Sequence, residues 1–336
     1  MDQIFKYGSV EAIPQFNCSG KTVEEWIALQ GVPHIGLGLG IMFYGVLIEI
    51  LYFPCLAAML KKELIRLSCF KIMFLLGVID TCAICMNSVI TGFLLIDGAV
   101  FCKYPTPIYC IGATGLGLWC CACMLAMILA INRLMDIIHP KMFQTYFKGY
   151  RTIFVLMLPI AYGLYFICFT PSAVFSSKFV GWYFDPFLFT DGRFVYSNIS
   201  HTINNVVVVV FSTFLYVAFC FVLCTRLKGT QNHSKFYKQI FLQSALICTA
   251  TFLASVNYVL MQFAGMPIWF ALVGQFGWQM SHGCPVFIYI FFNRTLRRNI
   301  LGLCNLTYDP RKGKVGSYRP RSSFGTASED PNMMMY

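Results

Sequence analysis

Seven apolar stretches account for most of this 336-residue chain. They cover residues 35–60, 69–96, 107–132, 152–172, 202–224, 239–263 and 268–292. A helix needs about 20 consecutive, mostly apolar residues to cross the hydrocarbon core of a bilayer. The pattern therefore predicts an all-α polytopic membrane protein, a bundle of seven transmembrane helices. An odd number of spans places the two chain ends on opposite sides of the membrane.

The basic residues are distributed unevenly between the loops that join these spans. If the N-terminus is outside, each of the three inner loops holds four basic residues (lysine or arginine) and the C-terminal tail holds eight. The remaining five of the 25 basic residues lie outside. Short loops rich in lysine and arginine stay on the cytoplasmic side. The distribution predicts an outer N-terminus and an inner C-terminus, and it explains the net charge of +11 without a nucleic-acid partner.

The cysteines do not form the pattern of a metal site. Only 12% of residues are charged, against about a quarter in soluble domains, and most of the 16 cysteines lie inside spans. The Cys82-x-x-Cys85 pair has a single acid, Asp80, nearby in the sequence, and the cluster of Cys120, Cys121 and Cys123 has no histidine or acid nearby. We interpret them as packing residues. The sequence therefore predicts no metal, no cofactor and no enzymatic activity.

The chain divides into four predicted regions. These are an extracellular N-terminal segment at 1–34, the bundle at 35–292, an amphipathic juxtamembrane helix at 293–304 and a disordered cytoplasmic tail at 305–336. In the juxtamembrane helix Leu296, Ile300 and Leu303 recur at helical spacing with arginines between them, so membrane lipid is an expected partner. Cys304, at the end of that helix, is a candidate for palmitoylation.

Small residues four positions apart occur in two spans. Gly36 and Gly40 open the first span, and Ala113 and Gly117 lie in the third. This spacing lets two membrane helices approach closely. We expect both pairs to lie against neighbouring helices.

Two acids are predicted to lie near the middle of the membrane. Glu49 belongs to the first span and Asp80 to the second, where an ionised carboxylate costs several kcal/mol. Both should face the bundle interior and be paired, hydrated or protonated. They either form a structural hydrogen-bond cluster with Ser281 or His282 of the seventh span, or they belong to a switch or ion site that changes between two conformations.

Two further motifs lie near the inner ends of spans. Asn132-Arg133 at the end of the third span is similar to the DRY region of G-protein-coupled receptors, with Asn132 in place of the acid. Pro285-Val-Phe-Ile-Tyr289 is similar to a displaced NPxxY element, with Cys284 where asparagine would stand. Arg133 either acts in signalling or simply extends to the lipid headgroups.

Together with several other blocks, these motifs resemble one family along residues 15–305, the nematode serpentine chemoreceptors of class T. The blocks are Asn17-Cys18, Tyr52-Phe53-Pro54, residues 69–73, 76–80 and 101–105, Asn132-Arg133 and residues 282–293. The resemblance implies a seven-helix receptor of chemosensory neurons that signals through a heterotrimeric G protein. It also implies a multi-pass protein of the plasma membrane, in the sensory cilium of a neuron.

At the outer face the sequence offers one disulfide and two glycan sites. The second outer loop, residues 173–201, contains no cysteine, so Cys18 is the expected partner of Cys102, with Cys110 as the alternative. The sequons place candidate glycans on Asn17 and Asn198.

The expected ligand is a small, largely apolar molecule in the outer half of the bundle. The candidate lining residues are polar or aromatic residues near the outer helix ends: Tyr109, Asn204, Asn205, Asn257, Tyr258, Gln262, Gln275 and Trp278. Their side chains could instead form hydrogen bonds between helices.

At the inner face we expect Arg133 to act as the hinge of signalling as the sixth span swings outward, with Asn132, Pro285 and Tyr289 nearby. The alternative class is another seven-helix membrane protein, such as a transporter or a membrane hydrolase. A light receptor would need a lysine in the seventh span, and residues 268–292 contain none.

Overall fold

The computed structural model describes residues 1–187, 196–226, 231–261, 268–303, 307–309 and 314–316. Within these residues seven long helices form a bundle, and we number them first to seventh span in chain order. They are Ile35–Met59, Ser68–Ile96, Pro105–Ile138, Arg151–Phe169, Ile199–Arg226, Gln231–Leu260 and Ile268–Phe292. The predicted seven-helix fold is confirmed.

The first six spans are long and apolar enough to cross a bilayer. The seventh span is less apolar because it carries polar side chains along its length, including Gln275, Gln279 and His282. These side chains are buried, and they bond to the second span, as described below. Large apolar side chains point outward from several spans, for example Phe43 and Phe154. Such exposure fits a surface that faces lipid.

Close helix contacts form at glycines. A Cβ atom on Gly117 of the third span would lie 2.6 Å from the carbonyl oxygen of Gly163 in the fourth, as predicted for this position. In the first span the contact forms at Gly38, where a Cβ atom would lie 2.6 Å from the carbonyl oxygen of Gly92 in the second span. The expectation for Gly36 and Gly40 was wrong, because a Cβ atom on either would have nothing within 4 Å.

The second span is interrupted by one turn of π-helix, Cys85–Ile90, between the α-helical parts Ser68–Ile84 and Thr91–Ile96. A π-turn contains one more residue than an α-turn and disturbs the regular backbone hydrogen bonds. Here the carbonyl oxygen of Asn87 accepts hydrogen bonds from the side-chain amides of Gln275 and Gln279, each 2.9 Å away. The turn therefore joins the second span directly to the seventh.

We refer to the end of the bundle that carries residues 1–34 as the N-terminal face. The N-terminal segment forms the helices Asp2–Tyr7 and Val23–Gln30 and the 3₁₀ turn Pro14–Phe16. Cys18 and Cys102 form a disulfide, as expected. Cys102 lies in a second 3₁₀ turn, Phe101–Lys103, just before the third span.

A short β-hairpin also lies on the N-terminal face, although the sequence predicted only helices. Strand β1, Val174–Ser176, pairs antiparallel with β2, Gly181–Tyr183, with Phe175 opposite Trp182. The fourth span ends at Phe169, three residues earlier than predicted. The chain that follows it is thus free to fold back over the bundle.

The opposite end, which we name the C-terminal face, carries the short helices Lys62–Ile65 and Pro140–Phe147 and the helix Arg294–Leu303. Leu296 is fully buried against the bundle, and the Lys61 ammonium donates to the Asn299 carbonyl oxygen at 3.1 Å. In the predicted tail, β3 (Thr307–Asp309) pairs with β4 (Lys314–Gly316). Cys304 lies outside the described residues.

Candidate functional site

A cavity of about 140 Å³ lies inside the bundle, toward the N-terminal face. Four spans and the β-hairpin contribute to its walls. The lining residues are mostly aromatic or small: Gly112, Gly115, Leu116, Trp119, Ala173, Trp182, Tyr183, Phe184, His201, Tyr258, Met261 and Trp278.

The β-hairpin forms the roof of this cavity. Gly112 of the third span makes room for the chain just before β1, since a Cβ atom on Gly112 would collide with the Ala173 carbonyl group. The Trp182 indole nitrogen donates to the Thr91 hydroxyl at 3.0 Å, which fixes the roof to the second span. Tyr183 donates to the Phe179 carbonyl oxygen at 2.9 Å, and burial raises the pKa of Tyr183, so it stays neutral.

One wall of the cavity is held by a chain of buried polar groups. The Asn205 side-chain oxygen accepts from the Trp119 indole nitrogen at 3.0 Å and from the Asn204 amide at 3.2 Å. The Asn205 amide nitrogen lies 3.3 Å from Nε2 of His201. The rings of Trp119 and His201 each make an edge contact with Tyr258. This network fixes the orientation of the aromatic wall.

Of the eight predicted ligand residues, Tyr258 and Trp278 line the cavity. Asn204 and Asn205 lie behind its wall in the polar chain. Asn257 donates to the Met261 sulfur at 3.4 Å, and Gln275 bonds to the second span. Tyr109 packs beneath the N-terminal segment, with its ring 5.1 Å from that of Phe16. Gln262 lies outside the described residues.

The sequence analysis did not identify Trp119, Trp182 or His201. His201 and Asn205 are four residues apart on the fifth span, a spacing that places them on one helix face. That spacing could have drawn attention to His201. Trp182 carried no comparable signal, because its position depends on how the hairpin folds back.

Asp80 and His282 form a buried pair between the second and seventh spans. Nδ1 of His282 lies 2.7 Å from Oδ1 of Asp80. The Tyr52 hydroxyl lies 2.9 Å from Oδ2 of Asp80 and 2.8 Å from the His282 carbonyl oxygen, and it donates to one of them. The Trp119 and His282 rings meet at 6.0 Å, so a cavity residue touches this cluster.

Of the two alternatives for the partner, His282 pairs with Asp80, and neither Ser281 nor Glu49 joins this pair. Ser281 donates to the Trp278 carbonyl oxygen of its own helix instead of joining Asp80. Glu49 is only half-buried, and its buried Oε1 atom has no hydrogen-bond partner among the described residues. The first span contributes Tyr52 to the cluster instead, one helical turn further along.

At the C-terminal face Asn132 and Arg133 point toward the second span. The Asn132 amide donates to the Ser68 hydroxyl at 3.0 Å, and an Arg133 guanidinium nitrogen lies 3.8 Å from the Met73 sulfur. The Tyr289 hydroxyl, one turn beyond Pro285, is buried without a partner among the described residues. The Gln243 amide of the sixth span donates to the Phe292 carbonyl oxygen of the seventh at 2.7 Å.

The two predicted glycan sites differ in exposure. Asn17 is exposed, whereas Asn198 is 2% exposed. The Asn198 amide nitrogen donates to the Pro171 carbonyl oxygen at 2.9 Å, and its side-chain oxygen accepts from the His201 backbone at 2.9 Å, capping the fifth span. A glycan on Asn198 is incompatible with this structure, because the nitrogen that would carry it is buried and bonded.

The family model described as "Serpentine type 7TM GPCR chemoreceptor Srt" matches residues 3–311. The chain belongs to this family of serpentine chemoreceptors. It is 27% identical over 305 residues to "Serpentine receptor class T-55" of Caenorhabditis elegans, covering 90% of this chain and 83% of that protein. Squid rhodopsin has the same fold, with a TM-score of 0.60 at 15% identity, over 87% of this chain and 93% of that one.

Proposed function

We propose that this Srt-family chain is a chemosensory receptor that binds a small, largely apolar molecule in the cavity. The supporting observation is an aromatic-walled cavity inside the bundle that contacts a buried polar cluster through Trp119. Pockets with apolar walls and a few fixed polar groups suit small molecules better than peptides. A volume of about 140 Å³ fits a compact ligand.

In this proposal the N-terminal face is extracellular, in the plasma membrane of a sensory cilium. The excess of lysine and arginine in the opposite loops supports this orientation. So does the Cys18–Cys102 disulfide on the N-terminal face, because disulfides persist on the oxidising side of a membrane.

The signal would pass from the cavity to a heterotrimeric G protein at the C-terminal face. A ligand that moves Trp119 or Trp278 also acts on His282 and its bond to Asp80. The sixth span would then swing outward, and Arg133 would face the opened space. Asn132 bonds to Ser68 and supplies no charge to hold Arg133 in the resting state, so Arg133 can act as the hinge.

The test is expression in a reporter cell with a coupled G protein and a screen of small volatile molecules. An agonist found in this way should lose its effect when Leu116→Trp fills the cavity, but not when Val210→Trp adds the same bulk on the lipid-facing side, where Val210 is exposed. Arg133→Ala should abolish signalling at unchanged surface expression while agonist binding persists. An agonist that tolerates Leu116→Trp would place the binding site elsewhere, and unchanged signalling by Arg133→Ala would leave that residue only a contact with lipid headgroups.

A further inference from the structure

Two side chains that line the cavity each carry a buried nitrogen with nothing to bond to. They are Nδ1 of His201 and Nε1 of Trp278, and neither has a hydrogen-bond partner among the residues that the structure describes. His201 is 5% exposed and Trp278 is 7% exposed, so bulk water does not satisfy them. A buried polar atom without a partner costs about 1–3 kcal/mol, so a small rotation of either ring that brought its nitrogen to the cavity surface would let a ligand acceptor satisfy it.

The hydrogen-bond network determines what each nitrogen offers. An indole nitrogen only donates, so Trp119 must be the donor to the Asn205 oxygen, and this fixes the Asn205 amide orientation. The Asn205 nitrogen therefore points at Nε2 of His201 as a donor. Nε2 must accept, and in a neutral imidazole the other nitrogen then carries the hydrogen. Both free groups, on His201 and on Trp278, are thus N–H donors.

Several other polar groups on the cavity wall already have partners. The Trp182 indole bonds to Thr91, and the Ala173 carbonyl oxygen accepts from Ser172 at 2.9 Å. The Met261 sulfur accepts from Asn257. The Tyr258 hydroxyl can donate or accept, so it does not discriminate between ligands. In the described part of the wall, two donors without acceptors are the polar feature that distinguishes the site.

We infer that the ligand is a compact, uncharged molecule that presents a hydrogen-bond acceptor, such as a ketone, an aldehyde or an ester. The cavity volume is comparable with that of cavities that hold a benzene-sized molecule. A hydrocarbon would leave both donors unpaired, and an ammonium group would meet two further donors. An alcohol can accept but also brings a hydrogen of its own. This inference rests on the proposed function and names its ligand class.

The test compares probes that share a skeleton and differ in one polar group. Cyclohexanone, cyclohexanol, cyclohexylamine and methylcyclohexane form one set, and the matching six-carbon linear compounds form a second. Binding to the purified receptor in lipid nanodiscs is measured from the rise in melting temperature with probe concentration. We expect the ketones to bind about tenfold more tightly than the hydrocarbons, with alcohols between them and amines weakest.

Two variants assign this preference to the free donors, and a third is the control. Trp278→Phe and His201→Phe should each reduce the ratio of ketone to hydrocarbon affinity severalfold. Trp269→Phe removes an indole of the seventh span that is exposed on the outside of the bundle and does not line the cavity, so its ratio should not change. A ratio is compared within one protein, so partial loss of folded receptor does not affect it.

The outcomes separate this inference from the proposed function. If hydrocarbons or amines bind as tightly as ketones, or if the ratio survives in both donor variants, the inference is overturned. If no probe of any class raises the melting temperature, both the inference and the proposed small-molecule site are wrong. If probes bind with the expected ranking but evoke no signal in cells, the ligand class stands and the proposed signalling role fails.

Discussion

Nδ1 of His282 lies 2.7 Å from Oδ1 of Asp80, and each side chain is 1% exposed. The pair joins the seventh span to the second inside the bundle, with the Tyr52 hydroxyl of the first span beside it. A carboxyl group and an imidazole are both costly to bury. Once they are buried as a pair, loss of one partner leaves the other unsatisfied.

We therefore expect Asp80→Ala to destabilise the folded receptor by about 3–5 kcal/mol. The substitution removes the only acceptor shown for His282 Nδ1 in the described chain, as well as one acceptor for Tyr52. Thermal melting of purified protein measures the effect. Glu49→Ala is the matched control, because the Glu49 Oε1 atom has no partner among the described residues. Equal losses for the two variants would mean that the pair has no special role in stability.

At the C-terminal face the sixth span is attached to the seventh through Gln243. Its amide donates to the Phe292 carbonyl oxygen at 2.7 Å, so Gln243→Leu should ease outward movement of the sixth span. We expect basal signalling to rise severalfold at matched surface expression. Leu242→Ala, at the neighbouring lipid-exposed position, should leave basal signalling unchanged. A fall or no change in Gln243→Leu would argue against sixth-span movement as the activating step.

The Cys18–Cys102 disulfide closes a long loop, because the sequence separation of its two cysteines is 84. Disulfides that close long loops typically contribute about 2–4 kcal/mol. Cys18→Ser should therefore lower the melting temperature and expose residues 1–34 to protease. Cys110→Ser provides the control, because Cys110 is a free, half-buried thiol. The same protease pattern in both variants would show that packing alone holds the N-terminal segment.

Gly117 should tolerate no side chain. A Cβ atom there meets the Gly163 carbonyl oxygen at 2.6 Å, so Gly117→Leu must push the third and fourth spans apart. Overpacking of this kind typically costs about 1–3 kcal/mol, and we expect surface expression to fall sharply. Gly40→Leu, where a Cβ atom has open space, should express normally. Comparable expression of the two variants would contradict the helix contact.

Only one of the two sequons on the N-terminal face should carry a glycan. Asn17→Gln is expected to change the electrophoretic mobility of the receptor, whereas Asn198→Gln should not, because the Asn198 amide is buried. Treatment with an endoglycosidase identifies the shift as sugar. Loss of a glycan band in Asn198→Gln would show that the cap on the fifth span is not formed in cells.

The seven spans could be predicted from the sequence because the bilayer imposes a minimum length on apolar runs. The contact between Asp80 and His282 was also among the alternatives, since a buried acid requires a polar partner. The sequence could not distinguish His282 from Ser281 as that partner. The choice depends on the rotation of the seventh span, which is fixed by the Gln275 and Gln279 bonds to Asn87.

The cavity was harder to predict for a different reason. Polar residues near helix ends were taken as candidates, but Asn204, Asn205 and Gln275 bond to other side chains or to backbone. The actual walls include a hairpin whose position depends on contacts far apart in the sequence, such as that of Trp182 with Thr91. Composition and helical spacing do not reveal such contacts.

The π-turn in the second span contains one residue more than an α-turn. This extra residue affects the alignment of two distant parts of the molecule. Each α-helical residue advances the chain by about 100° and 1.5 Å. If Cys85–Ile90 became α-helical at its present length, the two halves of the span would rotate relative to each other by about that angle. Thr91 would then move away from Trp182 if Asn87 stayed beneath Gln275 and Gln279. The roof of the cavity and the seventh span therefore keep their alignment only while this segment stays π-helical.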